Sequence, residues 1–219
     1  MKTPRKANEQ TPTSHTLHQQ AQADSKIHQT LLRWWGYDTF RPLQIEAISA
    51  AIYGRDSVVV LPTGGGKSLC YQLPPLLSQT TDIVVSPLVS LMKDQVDALD
   101  SIGYPAATIH GGLSPEDRRK TYQKLQNGNL RLLFVAPERL FNSNLVDTLS
   151  QLPIQRFAID EAHCISQWGH DFRPEYRQLS ALREHFPQAS FHAYTATATP
   201  HVRKDIAEQL HLKKRSEEH

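Results

Sequence analysis

The rhythm of polar and apolar positions changes near residue 26. Before it the chain is rich in Gln, Thr, Lys and His with little apolar periodicity, which predicts a disordered polar tail over residues 1–25. Beyond it, short β-branched or apolar runs fall at 57–61, 83–86, 106–110, 130–136, 156–159 and 191–195, and read as strands. Between them, stretches at helical spacing fall at 69–77, 91–102, 115–128, 140–149 and 176–185. Pro115 opening one helix and Gly128 closing it fit the preferences of helix ends. Strands alternating with helices predict an α/β fold, a parallel sheet sandwiched by helices. Several strands are apolar throughout, as burial on both faces requires. The folded domain spans 26–212, and a charged C-terminal tail covers 213–219.

Chemistry collects where these strands end. After the run Val58-Val59-Val60 comes Leu61-Pro62-Thr63-Gly64-Gly65-Gly66-Lys67-Ser68, leading into a helix. Glycines let successive backbone N–H groups curl around an anion. In such a loop Lys67 contacts the β- and γ-phosphates of a nucleotide and Ser68 offers its hydroxyl to Mg²⁺. The strict pattern has Gly where Leu61 stands, and a glycine-rich strand-to-helix turn is the plainer alternative.

Asp160-Glu161-Ala162-His163 follows the strand Phe157-Ala158-Ile159. An acidic pair there suits triphosphate hydrolysis, with Asp160 holding Mg²⁺ and Glu161 positioning or deprotonating water. Two solvated acids opening a helix would look the same in isolation. Ser86-Pro87-Leu88 and Thr195-Ala196-Thr197 end two further strands. Ligands of open α/β sheets bind along that edge. Thr195 and Thr197, with His163, are candidates to couple the acidic motif to the rest of the fold. Thr199 reads as the cap of a helix beginning at Pro200.

Two aromatic segments remain. Tyr37 offers a flat face for a purine, Gln44 a donor–acceptor pair suited to adenine, and Arg41 a group to stack or pair with phosphate. A turn with core aromatics is the alternative there. Cys164 to Tyr176 interleaves Trp168 and Phe172 with His170 and Arg173, beside Ser166 and Gln167. Such a loop suits stacking on single-stranded bases, and a structural loop packed on the domain is its alternative.

Bulk properties narrow the class. The 219 residues suffice for one well-buried domain or two small ones, and 39% hydrophobic with 21% charged content reads as soluble and globular. A net charge of +2 requires any nucleic-acid site to be a local patch. Two cysteines, Cys70 and Cys164, exclude a zinc cluster or a disulfide framework and fit a reducing compartment. No apolar run approaches the roughly 18 residues of a membrane span, and no secretory leader follows Met1.

Taken in order, Phe40-Arg41-Pro42-Leu43-Gln44, the loop 61–68, the segment 86–95, Asp160 to His163, the loop 168–176 and the threonines 195–199 resemble the first RecA-like motor domain of RecQ DNA helicases, within helicase superfamily 2. The segment Ser166-Gln167-Trp168-Gly169-His170-Asp171-Phe172-Arg173-Pro174 carries most of that likeness. The resemblance implies a RecA-like P-loop NTPase fold with ATP and Mg²⁺ as cofactors. Tyr37, Arg41 and Gln44 would hold adenine, and Thr63, Gly64, Gly65, Gly66, Lys67 and Ser68 the phosphates. Asp160 and Glu161 would serve Mg²⁺ and water. The segment 86–95 and the His110-Gly111-Gly112 region would lie along the strand path. Ser166, Gln167, Trp168, His170, Phe172, Arg173, Thr195 and Thr197 would couple DNA to hydrolysis.

The resemblance implies single-stranded or partially duplex DNA as partner, 3′-to-5′ movement, roles in recombination and repair, and a place in the nucleoid-bearing cytoplasm of a bacterium or in a nucleus. Family members also carry a second RecA-like domain whose arginines face the γ-phosphate. Nothing here reads as that domain, and losing such an arginine can cost about 10³–10⁵ in rate. The chain alone is therefore expected to bind ATP weakly, hydrolyse it slowly and not unwind DNA, with a second RecA-like domain in trans as a further partner. A non-catalytic ATP- or DNA-binding module derived from a helicase, and an unrelated P-loop enzyme such as a small-molecule kinase, are the competing readings. Nothing in the sequence reads as the substrate pocket and lid of a kinase.

Overall fold

The computed structural model describes residues 14–141 and 144–213. Two compact units divide the chain, one ending at Thr39 and one beginning at Phe40. The first contains helix α1 (Ser14–Trp35). No Gly or Pro interrupts residues 14–35, and Ala, Gln, Leu and Lys favour a helix there. Gly36 ends it with φ 71° and its N–H on the Leu32 carbonyl at 3.0 Å. Helix α1 takes in residues 14–25 of the polar tail expected over 1–25. Residues 14–25 are helical, because helix formers can run without a strong apolar period. Residues 1–13, and 214–219 of the expected C-terminal tail, lie outside the described residues.

The second unit is built on six parallel strands. Helix α2 (Gln44–Ile52) leads to β1 (Ser57–Val60), then α3 (Lys67–Gln72) and α4 (Pro74–Ser78). Strand β2 (Asp82–Val85), α5 (Val89–Ser101), β3 (Ala106–Ile109), α6 (Pro115–Gln126) and β4 (Leu132–Val135) follow. Next come α7 (Pro137–Phe141), α8 (Leu145–Ser150), β5 (Arg156–Ile159), α9 (Pro174–Arg177), α10 (Leu182–His185), β6 (Ser190–Thr195) and α11 (Pro200–Gln209). The spatial order is β1-β6-β5-β2-β4-β3.

All six expected strands are present, and the helices differ in continuity. The stretch expected at 69–77 breaks into α3 and α4 at Pro74. Proline lacks the N–H that would continue the ladder. Helix α6 has the expected Pro115 start, and Ser114 caps it by accepting the Asp117 amide at 3.1 Å. Thr199 caps α11, accepting the Val202 amide at 3.3 Å.

Strands β2, β4, β5 and β6 are buried along their whole length, as a sheet covered on both faces requires. One core cluster joins Ile83, Val85, Leu133, Val135, Phe157, Ile159, Phe191 and Ala193 of these strands to residues such as Leu145, Leu149, Val202 and Ile206 of the flanking helices. Two ion pairs are buried: Asp82–Arg156 joins the first residues of β2 and β5, and Asp56, just before β1, meets Arg183 of α10. Asp56 also accepts the Phe191 amide at 2.9 Å and the Lys213 amide at 2.7 Å. Charge is therefore matched by hydrogen bonds there, as burial demands.

Topology positions the site. The four strands whose ends carry polar motifs, β1, β6, β5 and β2, are consecutive in the sheet. Their ends lie within two residues of one another: Val60 pairs with Thr195, Ile159 with Ala193, and Val85 with Ile159. Motifs far apart in sequence thus meet on one edge.

Candidate active site

The glycine-rich loop leaves β1 through Leu61, whose N–H donates to the Thr195 carbonyl at 3.0 Å. Gly65 donates its N–H to the Pro62 carbonyl at 2.8 Å and closes the turn. A Cβ on Gly65 would stand 2.8 Å from that same oxygen. Gly66 has φ 83°, and a Cβ there would run into the Gln44 amide. Both positions therefore require glycine.

Gln44 and Arg41 brace this loop. Gln44 is buried; its Oε1 accepts the Arg41 amide at 2.8 Å, and its Nε2 donates to the Gly66 carbonyl at 3.0 Å. Arg41 donates from Nη1 to the Gly64 carbonyl. Two of the three residues expected to hold adenine thus shape the phosphate loop, and Gln44 retains one N–H and one lone pair for a ligand. Tyr37 belongs to the first unit and is 59% exposed. Thr63 is exposed at the loop tip.

Lys67 opens α3 and reaches across to the acidic motif, its Nζ 3.2 Å from Oε1 of Glu161. Glu161 sits at φ 48°, a left-handed conformation uncommon for a residue with a Cβ. The backbone turns sharply at the end of β5, and a single helical turn over Ala162–Ile165 follows. The other Glu161 oxygen, Oε2, is 3.2 Å from His163 Nδ1, which also lies 3.1 Å from Thr195 Oγ1. Thr195 in turn donates its hydroxyl to the Thr197 carbonyl at 3.1 Å. One chain of contacts therefore runs from Lys67 through Glu161 and His163 to Thr195.

The two acids are driven apart electrostatically. The hydrogen bond from His163, with help from Lys67, pulls Glu161 down to about 2. Burial pushes Asp160 up to about 6, although Lys67 draws it back. Asp160 accepts the Glu161 amide at 3.0 Å, and its own backbone is pinned by the Val85 carbonyl at 2.9 Å and the Tyr176 hydroxyl at 3.1 Å. A buried carboxylate whose charge is so costly is a natural ligand for a cation. The Asp160 carboxylate and the Ser68 hydroxyl are oxygen donors of the kind Mg²⁺ takes.

The aromatic loop is tied to this machinery from several sides. His170 stacks on His163 with ring centroids 4.1 Å apart. Arg173 donates its amide to the Cys164 carbonyl at 2.9 Å, its Nη2 to Asp171 at 3.0 Å and its Nη1 to the Pro87 carbonyl at 3.5 Å. Ser166 donates to Asp205 of α11 at 2.6 Å and accepts the Trp168 amide at 3.2 Å. Phe172 lies under the Arg177 guanidinium at 5.2 Å. Trp168 meets His201 edge-on at 5.3 Å yet is 71% exposed, and Gln167 is exposed beside it. His163, Cys164 and Asp171 bring three ligand-type atoms within 4.8 Å. Burial pushes the Cys164 thiol up to about 12, which keeps it protonated, and Asp171 is held by Arg173.

Sequence reasoning missed several supports. Tyr176 and Asp205 were not singled out for contacts, and Gln95, which donates to Ser68 Oγ at 2.8 Å, stood only inside a longer segment. Helical spacing from the strand end could have flagged Gln95, because it shares a face of α5 with the buried Met92 and Leu99.

A phosphate-type loop in contact with an acidic strand end, on one edge of a parallel sheet, defines a P-loop nucleoside-triphosphatase fold. The model of the DEAD/DEAH box helicase family matches residues 41–206, and the chain belongs to that family. It is 48% identical over 179 residues to the ATP-dependent DNA helicase RecQ of Haemophilus influenzae, covering 82% of this chain and 29% of that protein. Against RecQ of Bacillus subtilis it is 47% identical over 186 residues, covering 84% of this chain and 32% of the relative. The chain thus spans about a third of the length of these relatives. The crystal structure of the DUF1998 helicase MrfA superposes with a TM-score of 0.68 at 25% identity, covering 88% of this chain and 32% of that one. The likeness to the RecQ motor domain is borne out. Among the described residues no helix is long and apolar enough to cross a membrane.

Proposed function

We propose that this chain is the ATP-binding half of a RecQ-like, ATP-dependent DNA helicase. The observation that carries the reading is the 3.2 Å contact between Lys67 and Glu161, which joins the phosphate loop to the acidic motif. Thr63 to Ser68 cradle the triphosphate, with Lys67 on its terminal phosphates. Arg41 and Gln44 serve the adenine end. Ser68 and Asp160 hold Mg²⁺, which when bound neutralises phosphate charge.

Glu161 is ionised at neutral pH and accepts a hydrogen bond from the attacking water, orienting it toward the terminal phosphate. It is a weak base while Lys67 and His163 hold it. As Lys67 turns to the phosphate, one of the influences lowering its basicity is removed. His163 and Thr195 then carry the state of Glu161 toward Thr197 and β6. On the other side, the stacked His163–His170 pair leads to the loop bearing Trp168, Phe172 and Arg173. Bases of a single strand stack on Trp168, so loop movement and the set of Glu161 are coupled through His163.

Movement along single-stranded or partially duplex DNA runs 3′ to 5′ in this reading, with recombination and repair as its setting. A second RecA-like domain, in cis or in trans, completes the motor. The protein works where DNA is, in bacterial cytoplasm with the nucleoid or in a nucleus.

The test is steady-state ATP hydrolysis by this chain with Mg²⁺, with and without single-stranded DNA. Slow turnover that rises with DNA, without strand separation, supports the reading. ATP binding without turnover, whether or not DNA is present, turns the assignment toward a non-catalytic binding module.

A further inference from the structure

Ser68 is already engaged. Gln95 of α5 donates from Nε2 to its Oγ at 2.8 Å, and the Tyr71 hydroxyl donates to the same oxygen at 3.3 Å. A hydroxyl oxygen has two lone pairs, and here both are taken. Gln95 is not free to drift, because its Oε1 accepts from Nε2 of the buried Gln72 at 2.9 Å. The Gln72 carbonyl accepts from the hydroxyl of Tyr104 at 2.6 Å, and Tyr104 is 1% exposed. The network is anchored in the core at one end and stops at the phosphate loop at the other. Its middle member lies on the helix that starts after Ser86-Pro87-Leu88.

A serine can ligate a cation only through a lone pair. We propose that Gln95 is a positioning residue that competes with Mg²⁺ for the Ser68 oxygen, so that ligation of the metal by Ser68 loosens the Gln95 hydrogen bond. Helix α5 thereby reports whether the site is loaded with metal. This rests on the Mg²⁺–ATP reading above, and it deepens that reading by naming a residue that sets its metal dependence.

The sign separates this role from a merely structural one. A structural glutamine, once removed, weakens ATP binding equally with and without metal. A competing glutamine, once removed, strengthens binding only when Mg²⁺ is present. Gln95→Leu deletes the competing donor. Gln95→Glu replaces it with an acceptor for the Ser68 hydroxyl proton and the Gln72 amide, which also frees the Ser68 lone pair that Gln95 occupied.

Isothermal titration of ATP into the full 219-residue chain, once with Mg²⁺ and once with EDTA, reads the ratio of the two affinities. Removing one competing hydrogen bond raises that ratio roughly threefold to tenfold in Gln95→Leu, with EDTA affinity unchanged. Gln95→Glu moves the same way. A ratio that stays level or falls in both variants, beside normal binding by the parent, overturns the inference and leaves the ATP site standing. No ATP binding by the parent in either condition overturns the ATP site and this inference with it.

Discussion

Lys67 Nζ and Glu161 Oε1 stand 3.2 Å apart, across 94 positions of sequence. In the proposed function Lys67 serves the triphosphate and Glu161 the attacking water. The pair is partly buried, at 14% and 22% side-chain exposure. Glu161→Gln keeps the shape and removes the negative charge. ATP affinity then stays within a few-fold of the parent, while turnover falls at least about a hundredfold. Parallel binding and turnover assays check this; retained turnover would assign the water to another group.

The pH dependence of stability isolates Asp160. Burial lifts its carboxyl from 3.8 to about 6. Between those values the native state holds more protons than the unfolded chain, so this group makes stability fall as pH rises through that window. Above it the penalty is constant, at most about 3 kcal/mol. In EDTA, Asp160→Asn therefore melts higher than the parent above pH 6 and together with it below pH 4. Identical melting curves across that range would mean that Asp160 is not strained by burial.

Trp168 separates coupling from binding. It is exposed and its amide is held by Ser166, so Trp168→Ala leaves the loop anchored. ATP affinity is unchanged and stimulation by single-stranded DNA is lost. Equal stimulation in the variant refutes the coupling role.

Gly66 tests the loop geometry. With φ 83° and the Gln44 amide where a Cβ would go, Gly66→Ala costs about 1–3 kcal/mol and weakens ATP binding. Denaturant unfolding and ATP titration of the same sample check both. Normal stability would show that the loop adapts.

DNA binding carries an ionic signature. On single strands the log–log slope with salt is about −0.7 for each phosphate neutralised. A chain with a net charge of +2 and a short basic footprint gives a shallow slope. A steep slope would require a larger basic surface than the segments around Arg173 provide.

The fold and much of the site were legible for physical reasons. Strands such as Ile83–Val85 and Phe157–Ile159 are buried on both faces, so they read as uninterrupted apolar runs. Glycines 65 and 66 have steric demands that leave a local trace. The contacts of Gln44, Gln95 and Tyr176 were less legible, because their partners, Gly66, Ser68 and Asp160, arrive through the topology of the sheet. Helix α1 was missed because its Gln, His and Thr positions hide a helix-compatible composition behind low hydrophobicity. The break at Pro74 was local and readable, yet the apolar spacing from Leu69 to Leu77 masked it.

The most direct measurement is ATP affinity with Mg²⁺ for the parent chain and for Lys67→Ala. The account predicts measurable binding by the parent and at least about a hundredfold loss in the variant, since Lys67 is the cation of the phosphate loop. Equal affinity in the two would contradict the assignment of residues 63–68 as the phosphate cradle.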